Sequence, residues 1–172
     1  DLSNFDLVIC QKHDGLKGDN ILQTIGAIHY LSAQEIKKNS NYLEVDKANK
    51  KMIAFIIGGP NNYYDFSEKE IDKVFSKIKI LFSPNKYKII FIPSYRTPKK
   101  IIEKVNNVFG HDHLVVKTVD KKAYLSALSQ ADYIVVTCDS TSMISEAAVT
   151  GKPIYVANMK AKKKSKRFEV FF

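Results

Sequence analysis

The stretch ADYIVVTCDSTSMISEAAVTGKPIYV, residues 131–156, reads as strand, turn, helix, turn and strand in quick succession. Its opening run, YIVVTC at 133–138, is apolar without polar alternation, the pattern of a strand covered on both faces. Asp139, Ser140, Thr141 and Ser142 then place four small polar residues where a helix must begin. Any of them can cap the orphan N–H groups of the first turn. Residues 143–149 carry the helix, Gly151 suits its left-handed end, and Lys152-Pro153 leads into the next strand. A hydroxyl-rich turn at the carboxyl end of a buried parallel strand is where open α/β sheets bind ligands.

The same alternation repeats upstream. Strands are expected at residues 52–57 (MIAFII), 87–92 (YKIIFI), 114–118 (LVVKT), 133–138 and 154–157. Between them, Ile71, Val74, Phe75 and Ile78 recur at the spacing of one helical face, as do Ile101, Ile102, Val105, Val108 and Phe109. Ser67 with Glu70 fits a capping box, Thr97-Pro98 fits an N-cap and first helical residue, and Asp120 caps a helix burying Tyr124, Ala127 and Leu128. Five strands separated by helices, with no hairpin signal, predict an α/β, Rossmann-like parallel five-stranded sheet with helices on both faces, joined by right-handed crossovers.

Residues 1–51 fit less well. DLVIC at 6–10 reads as a strand without a partner, followed by the polar loop QKHDGLKGDN at 11–20. Residues 21–31 are apolar without clean periodicity and receive no assignment. Ser32 and Glu35 fit a capping box for a short helix reaching about Asn39. The division expected is therefore an N-terminal remnant or linker at 1–51, a Rossmann-like domain at 52–159, and a truncated basic tail at 160–172.

An apolar fraction of 45% with 26% charged residues suits a soluble globular chain, and no apolar run is long enough to span a bilayer. The absence of a signal-like start and the cysteine usage point to a cytoplasmic protein, with Cys10 and Cys138 as buried free thiols. A net charge of +9 suits a polyanion, yet only Arg96 and Arg167 among 27 basic residues are arginines. Six basic residues fall between Lys160 and Arg167, a run available to a protein or an anionic membrane surface. This distribution argues against nucleic acid as the partner.

Three loops are expected to meet at the carboxyl edge of the sheet. In the first, Gly58 and Gly59 let backbone N–H groups approach a ligand; the alternative is a tight turn needing glycine for its dihedrals. In the second, Arg96 sits between Ser94 and Thr97 at a helix opening, where a guanidinium can clamp an anion; the alternative is a salt bridge to a neighbouring acid. In the third, Ser140, Thr141 and Ser142 exceed what capping requires and can receive a diphosphate. Glu146, one turn on, can accept hydrogen bonds from ribose hydroxyls, or simply complement the helix dipole. His13 and Asp14 are candidates for a general base, against the plainer reading of a polar junction loop. His111, Asp112 and His113 read as a solvated loop, and no metal site is expected.

DLVICQKHDGLKGDN, IIGGPNNYY, SYRTP and the 131–156 stretch together resemble, in the same order, the motifs of the mitochondrial fission elongated-mitochondria (ELM-type) family. Its bacterial members are described as glycosyltransferases of the two-Rossmann, GT-B type. The likeness runs from Asp6 to Arg167. It departs at Tyr95, where the family pattern has a basic residue, leaving one positive charge before TP. The resemblance implies the fold of a GT-B C-terminal, donor-binding domain, with a nucleoside-diphosphate sugar as substrate and no cofactor. It implies that Gly58, Gly59, Ser94, Arg96 and Ser140 to Ser142 hold the diphosphate, with Thr97 beside them. Glu146 would hold the ribose, and the nucleobase would lie near Thr118 to Asp120. It further implies a missing N-terminal acceptor domain, a shortened C-terminal segment, and catalysis without metal. The competing expectation is a non-catalytic scaffold or adaptor related to mitochondrial fission proteins.

Overall fold

The computed structural model describes residues 2–172. Its centre is a five-stranded, all-parallel sheet in the order β5-β4-β3-β6-β7. The strands are β3 (Lys51–Ile57), β4 (Tyr87–Pro93), β5 (Leu114–Val115), β6 (Tyr133–Thr137) and β7 (Ile154–Ala157). Each is linked to the next by a helix: α2 (Glu68–Leu81), α3 (Lys99–Phe109), α4 (Lys121–Gln130) and α5 (Thr141–Ala148). Strand order reverses between β3 and β6, so the sheet has a switch point where two neighbouring strand ends lead their helices apart.

Side chains alternate across each strand and build two cores. Ile53, Phe55, Ile57, Ile89, Phe91 and Val135 face α2 and α3, meeting Ile71, Phe75, Ile101 and Phe109. Met52, Ala54, Ile56, Ile90, Ile134 and Val136 face the other side, against Ile36, Leu125, Leu128 and Ala147. Burial on both faces explains why β3 and β6 lack the polar alternation of a half-exposed strand. Register sets Ile56 beside both Ile92 and Val136, so the loops after β3, β4 and β6 leave the sheet at one level.

Helix starts follow local chemistry, with three departures from expectation. Ser67 accepts from the Glu70 N–H, but the Glu70 carboxylate turns to Lys73 Nζ and the Lys160 N–H, leaving the box half made. Ser32 likewise caps α1 (Ala33–Lys38), while Glu35 pairs with Lys121. Pro98, not Thr97, occupies the cap of α3, because Thr97 is drawn inward. Gly151, at φ 66°, takes the left-handed conformation expected after α5.

The N-terminal strand does have a partner. β1 (Val8–Gln11) pairs in parallel with β2 (Ile21–Thr24), a strand the sequence did not reveal. A 3-10 turn, Lys12–Asp14, lies in the connection. At the other end, the chain lies along residues 63–65 through an isolated antiparallel bridge between Tyr64 and Ala161 and the Asp65 and Lys162 N–H bonds. It ends in α6 (Lys166–Phe171), anchored by Phe168 between Tyr63 and Tyr64. No helix among the described residues is long and apolar enough to cross a membrane.

Candidate functional site

Asp139 organises the switch point. Its carboxylate, with no side-chain exposure, accepts from Arg96 Nη2 at 2.7 Å, Thr137 Oγ1 at 2.6 Å and the Gly59 N–H at 3.0 Å. One side chain thereby ties together the loops after β3, β4 and β6. The glycines serve this packing. A Cβ on Gly58 would collide with the Asp139 carboxylate, and one on Gly59 with the Arg96 carbonyl. Their N–H groups donate to Thr137 Oγ1 and Asp139, so in this arrangement neither is open to a ligand. Thr97 is similarly engaged: its buried hydroxyl reaches the Ile57 and Gly58 carbonyls and accepts from the Ser94 N–H.

Arg96 therefore has both of the roles weighed from the sequence within reach. Nη1 donates to the Gly59 and Pro60 carbonyls and Nη2 to Asp139. A guanidinium has five N–H donors, so these three bonds leave the Nε–H and one Nη2–H unused. The side chain is 40% exposed, which leaves an anion access to that edge. Tyr95 beside it is 93% exposed and supplies no charge.

Ser140 caps α5, accepting from the Met143 N–H. Thr141 is buried, and its hydroxyl accepts from Arg167 Nη2 at 2.7 Å. Ser142 is exposed on the outer side of the turn. Glu146 accepts from the Tyr124 hydroxyl at 2.8 Å. Burial, reinforced by the neighbouring carboxylate, pushes that phenol well above its ordinary range, so Tyr124 remains the donor.

A cleft of about 340 Å³ joins these groups. Ser94, Arg96, Ser140 and Glu146 line it, over an apolar floor of Ile56, Leu125 and Met143. Of Thr118 to Asp120, where a nucleobase was expected, Val119 and Asp120 line the cleft and Thr118 does not. Gly58, Gly59, Thr97, Thr141 and Ser142 are not part of its wall; the first four hold the wall in place. His13 and Asp14 lie elsewhere, in the 3-10 turn against α6, with His13 Nε2 at 3.4 Å from Asp14 Oδ1. His113 is a core residue, accepting from the Ile89 N–H, and burial lowers its pKa. Among the described residues no cluster of three or more His, Cys, Asp or Glu could hold a metal ion. Both cysteines are buried and free, and burial pushes the Cys138 thiol up to about 11.

Three contributors were missed in the sequence. Tyr124 matched the apolar face of its helix, Arg167 belonged to a run of basic residues, and His29 sat in an aperiodic segment. Only Arg167 carried a signal, as one of two arginines in a lysine-rich chain.

Fold and cleft together define a doubly wound α/β domain with a mainly apolar crevice, edged by a few polar side chains, at its switch point. The chain belongs to the mitochondrial fission ELM1 family, whose model matches residues 1–172. It is 31% identical over 157 residues to the uncharacterized protein RP120 of Rickettsia prowazekii, covering 85% of this chain and 42% of that protein. It is 30% identical over 146 residues to the mitochondrial fission protein ELM1 of Arabidopsis thaliana, covering 80% and 33% respectively. The chain thus spans less than half the length of either relative. Among solved structures it resembles a provisionally assigned UDP-N-acetylglucosamine 2-epimerase from Listeria monocytogenes, with a TM-score of 0.58 at 14% identity. It also resembles an S. aureus MnaA–UDP co-structure, with a TM-score of 0.56 at 16% identity. Each likeness covers 91% of this chain and 40% of the other, and at such identities it speaks to the fold alone.

Proposed function

We propose that this chain is the donor-binding half of a glycosyltransferase-like protein that takes a nucleoside-diphosphate sugar. The observation that carries the reading is the single cleft into which Ser94, Arg96, Ser140 and Glu146 converge. In it, the diphosphate lies over the α5 N-terminus, where unpaired N–H groups and the helix dipole favour negative charge. The unused edge of Arg96 adds a fixed cation, and Glu146 accepts from the ribose. The same groups would stabilise the diphosphate as it leaves, without requiring a metal. His13 and Asp14 do not line the cleft, and the reading assigns donor binding to this half and acceptor activation to another part of the protein. The UDP in the S. aureus co-structure makes uridine the first base to try. Two free, buried cysteines accord with the cytoplasm as the compartment.

Isothermal titration with UDP, GDP and ADP, and with UDP-sugars, tests the proposal. At least one should bind, and Ser140→Ala and Glu146→Ala should each weaken it by about tenfold, the worth of a hydrogen bond to a charged group. Absence of heat with every nucleotide would remove the reading. The second reading, a non-catalytic adaptor, rests on the engagement of Arg96 by Asp139 and on the exposed lysines between Lys160 and Arg167. It predicts an unliganded cleft and charge-dependent capture of a protein or an anionic surface by that run.

A further inference from the structure

The segment from Gly26 to Leu31, which the sequence left without assignment, brings His29, Tyr30 and Leu31 to the wall of the cleft. At one end it is pinned to α5: the Ala27 N–H donates to Ser145 Oγ at 2.8 Å, and Gly26 packs against the same side chain. At the other end Tyr30 lies under Lys121 Nζ, 4.8 Å from its ring centroid, while Leu31 enters the core beside α4. His29, between these anchors, lines the cleft with Tyr124 and Glu146. Ser145 adjoins Glu146 in sequence and Lys121 is one turn from Tyr124, so the wall crosses the cleft where those two residues are bonded.

His29 Nδ1 is buried and has no hydrogen-bond partner. A buried lone pair left unpaired is tolerated better than a buried N–H, so the ring proton belongs on Nε2. His29 lines the cleft, so this N–H is the one available to a ligand there. The cleft lining then offers a donor, His29, and an acceptor, Glu146. Glu146 has one oxygen occupied by Tyr124 and the other available, and as a carboxylate it can only accept. A vicinal diol matches this pair because each hydroxyl both donates and accepts. A 2′-deoxyribose, with one hydroxyl removed, leaves one of the two protein groups unpaired.

We propose that His29 is a specificity-determining residue that, with Glu146, selects a ribonucleoside diphosphate over its 2′-deoxy counterpart. The proposal rests on the nucleotide reading of the cleft and adds to it a residue and a sugar selectivity. The test is calorimetric titration of the full chain with UDP and 2′-deoxy-UDP, and with the guanosine pair, in wild type, His29→Phe and His29→Gln. Wild type should favour the ribonucleotide by about fivefold, the worth of one neutral hydrogen bond between the His29 N–H and the hydroxyl. His29→Phe should bring the ratio to near one mainly by weakening the ribonucleotide. His29→Gln, which keeps an N–H donor, should retain most of the preference. An unchanged ratio in His29→Phe, or equal weakening of both nucleotides, overturns the role of His29 while leaving the nucleotide reading intact. A wild type that binds none of the four overturns both.

Discussion

The two parallel sheets of this molecule look alike in sequence and differ in physics. DLVIC and MIAFII are both short apolar runs closed by polar or glycine-rich loops. In β3 every residue after Lys51 is buried, and neighbouring strands and helices cover it on all sides. In β1 and β2 only Cys10 is buried, while Ile9 is 49% and Leu22 52% exposed. A two-stranded sheet without a covered face is marginal on its own. Apolar character thus marks a strand in both places, but the number of layers around it decides whether that strand is a core.

The sharpest way to break this comparison is a pair of truncations. Phe91→Ala removes a ring buried against Phe55 and Phe109 and should cost about 3–5 kcal/mol in urea unfolding. Ile9→Ala, half exposed in β1, should cost less than about 1 kcal/mol. Equal costs would mean that the small sheet is as integral as the large one. A smaller effect probes the polar end of the large sheet. Arg96→Ala leaves the buried Asp139 without its cation, and the loss should be about 2–3 kcal/mol, between the limits for exposed and buried pairs. Asp139→Asn should cost less, because it removes the charge that needs compensating.

The smallest effect is one of pH. Burial depresses the His113 pKa below the ordinary 6.5, so the unfolded chain binds its proton first as acid is added. Its contribution is fully present above about 6.5 and is lost as pH falls from there through the lowered folded value. Thermal melts between pH 7 and 5 should therefore fall in midpoint, and less steeply in His113→Phe than in wild type. An identical slope in that variant would relieve His113 of the role.

Strands β3, β4 and β6 were legible within a residue or so because each is buried on both faces and bounded by glycine, proline or small polar residues; β7, an edge strand with Tyr155 half exposed, was legible because Gly151 and Pro153 mark its start. β2 was not, because ILQT has no covered face to impose a period on it. The site divides in the same way. Ser94, Arg96, Ser140 and Glu146 could be found because they follow strands whose ends the pattern marks. Tyr124 and His29 could not: a tyrosine on an apolar helix face looks like core, and the path of the segment around His29 is set by Ser145, far along the chain.

What the sequence determined alone was local and periodic: which segments bury two faces, where helices are capped, and which polar turns follow which strands. Tertiary structure decided how the polar atoms there are spent. Gly58 and Gly59, suited in sequence to meet a ligand, instead make room for Asp139 and Arg96. Buried charge must be compensated by whatever lies within hydrogen-bond distance. Strand order, not chain order, sets that distance, and so it is the switch point between β3 and β6 that brings Asp139 and Arg96 together.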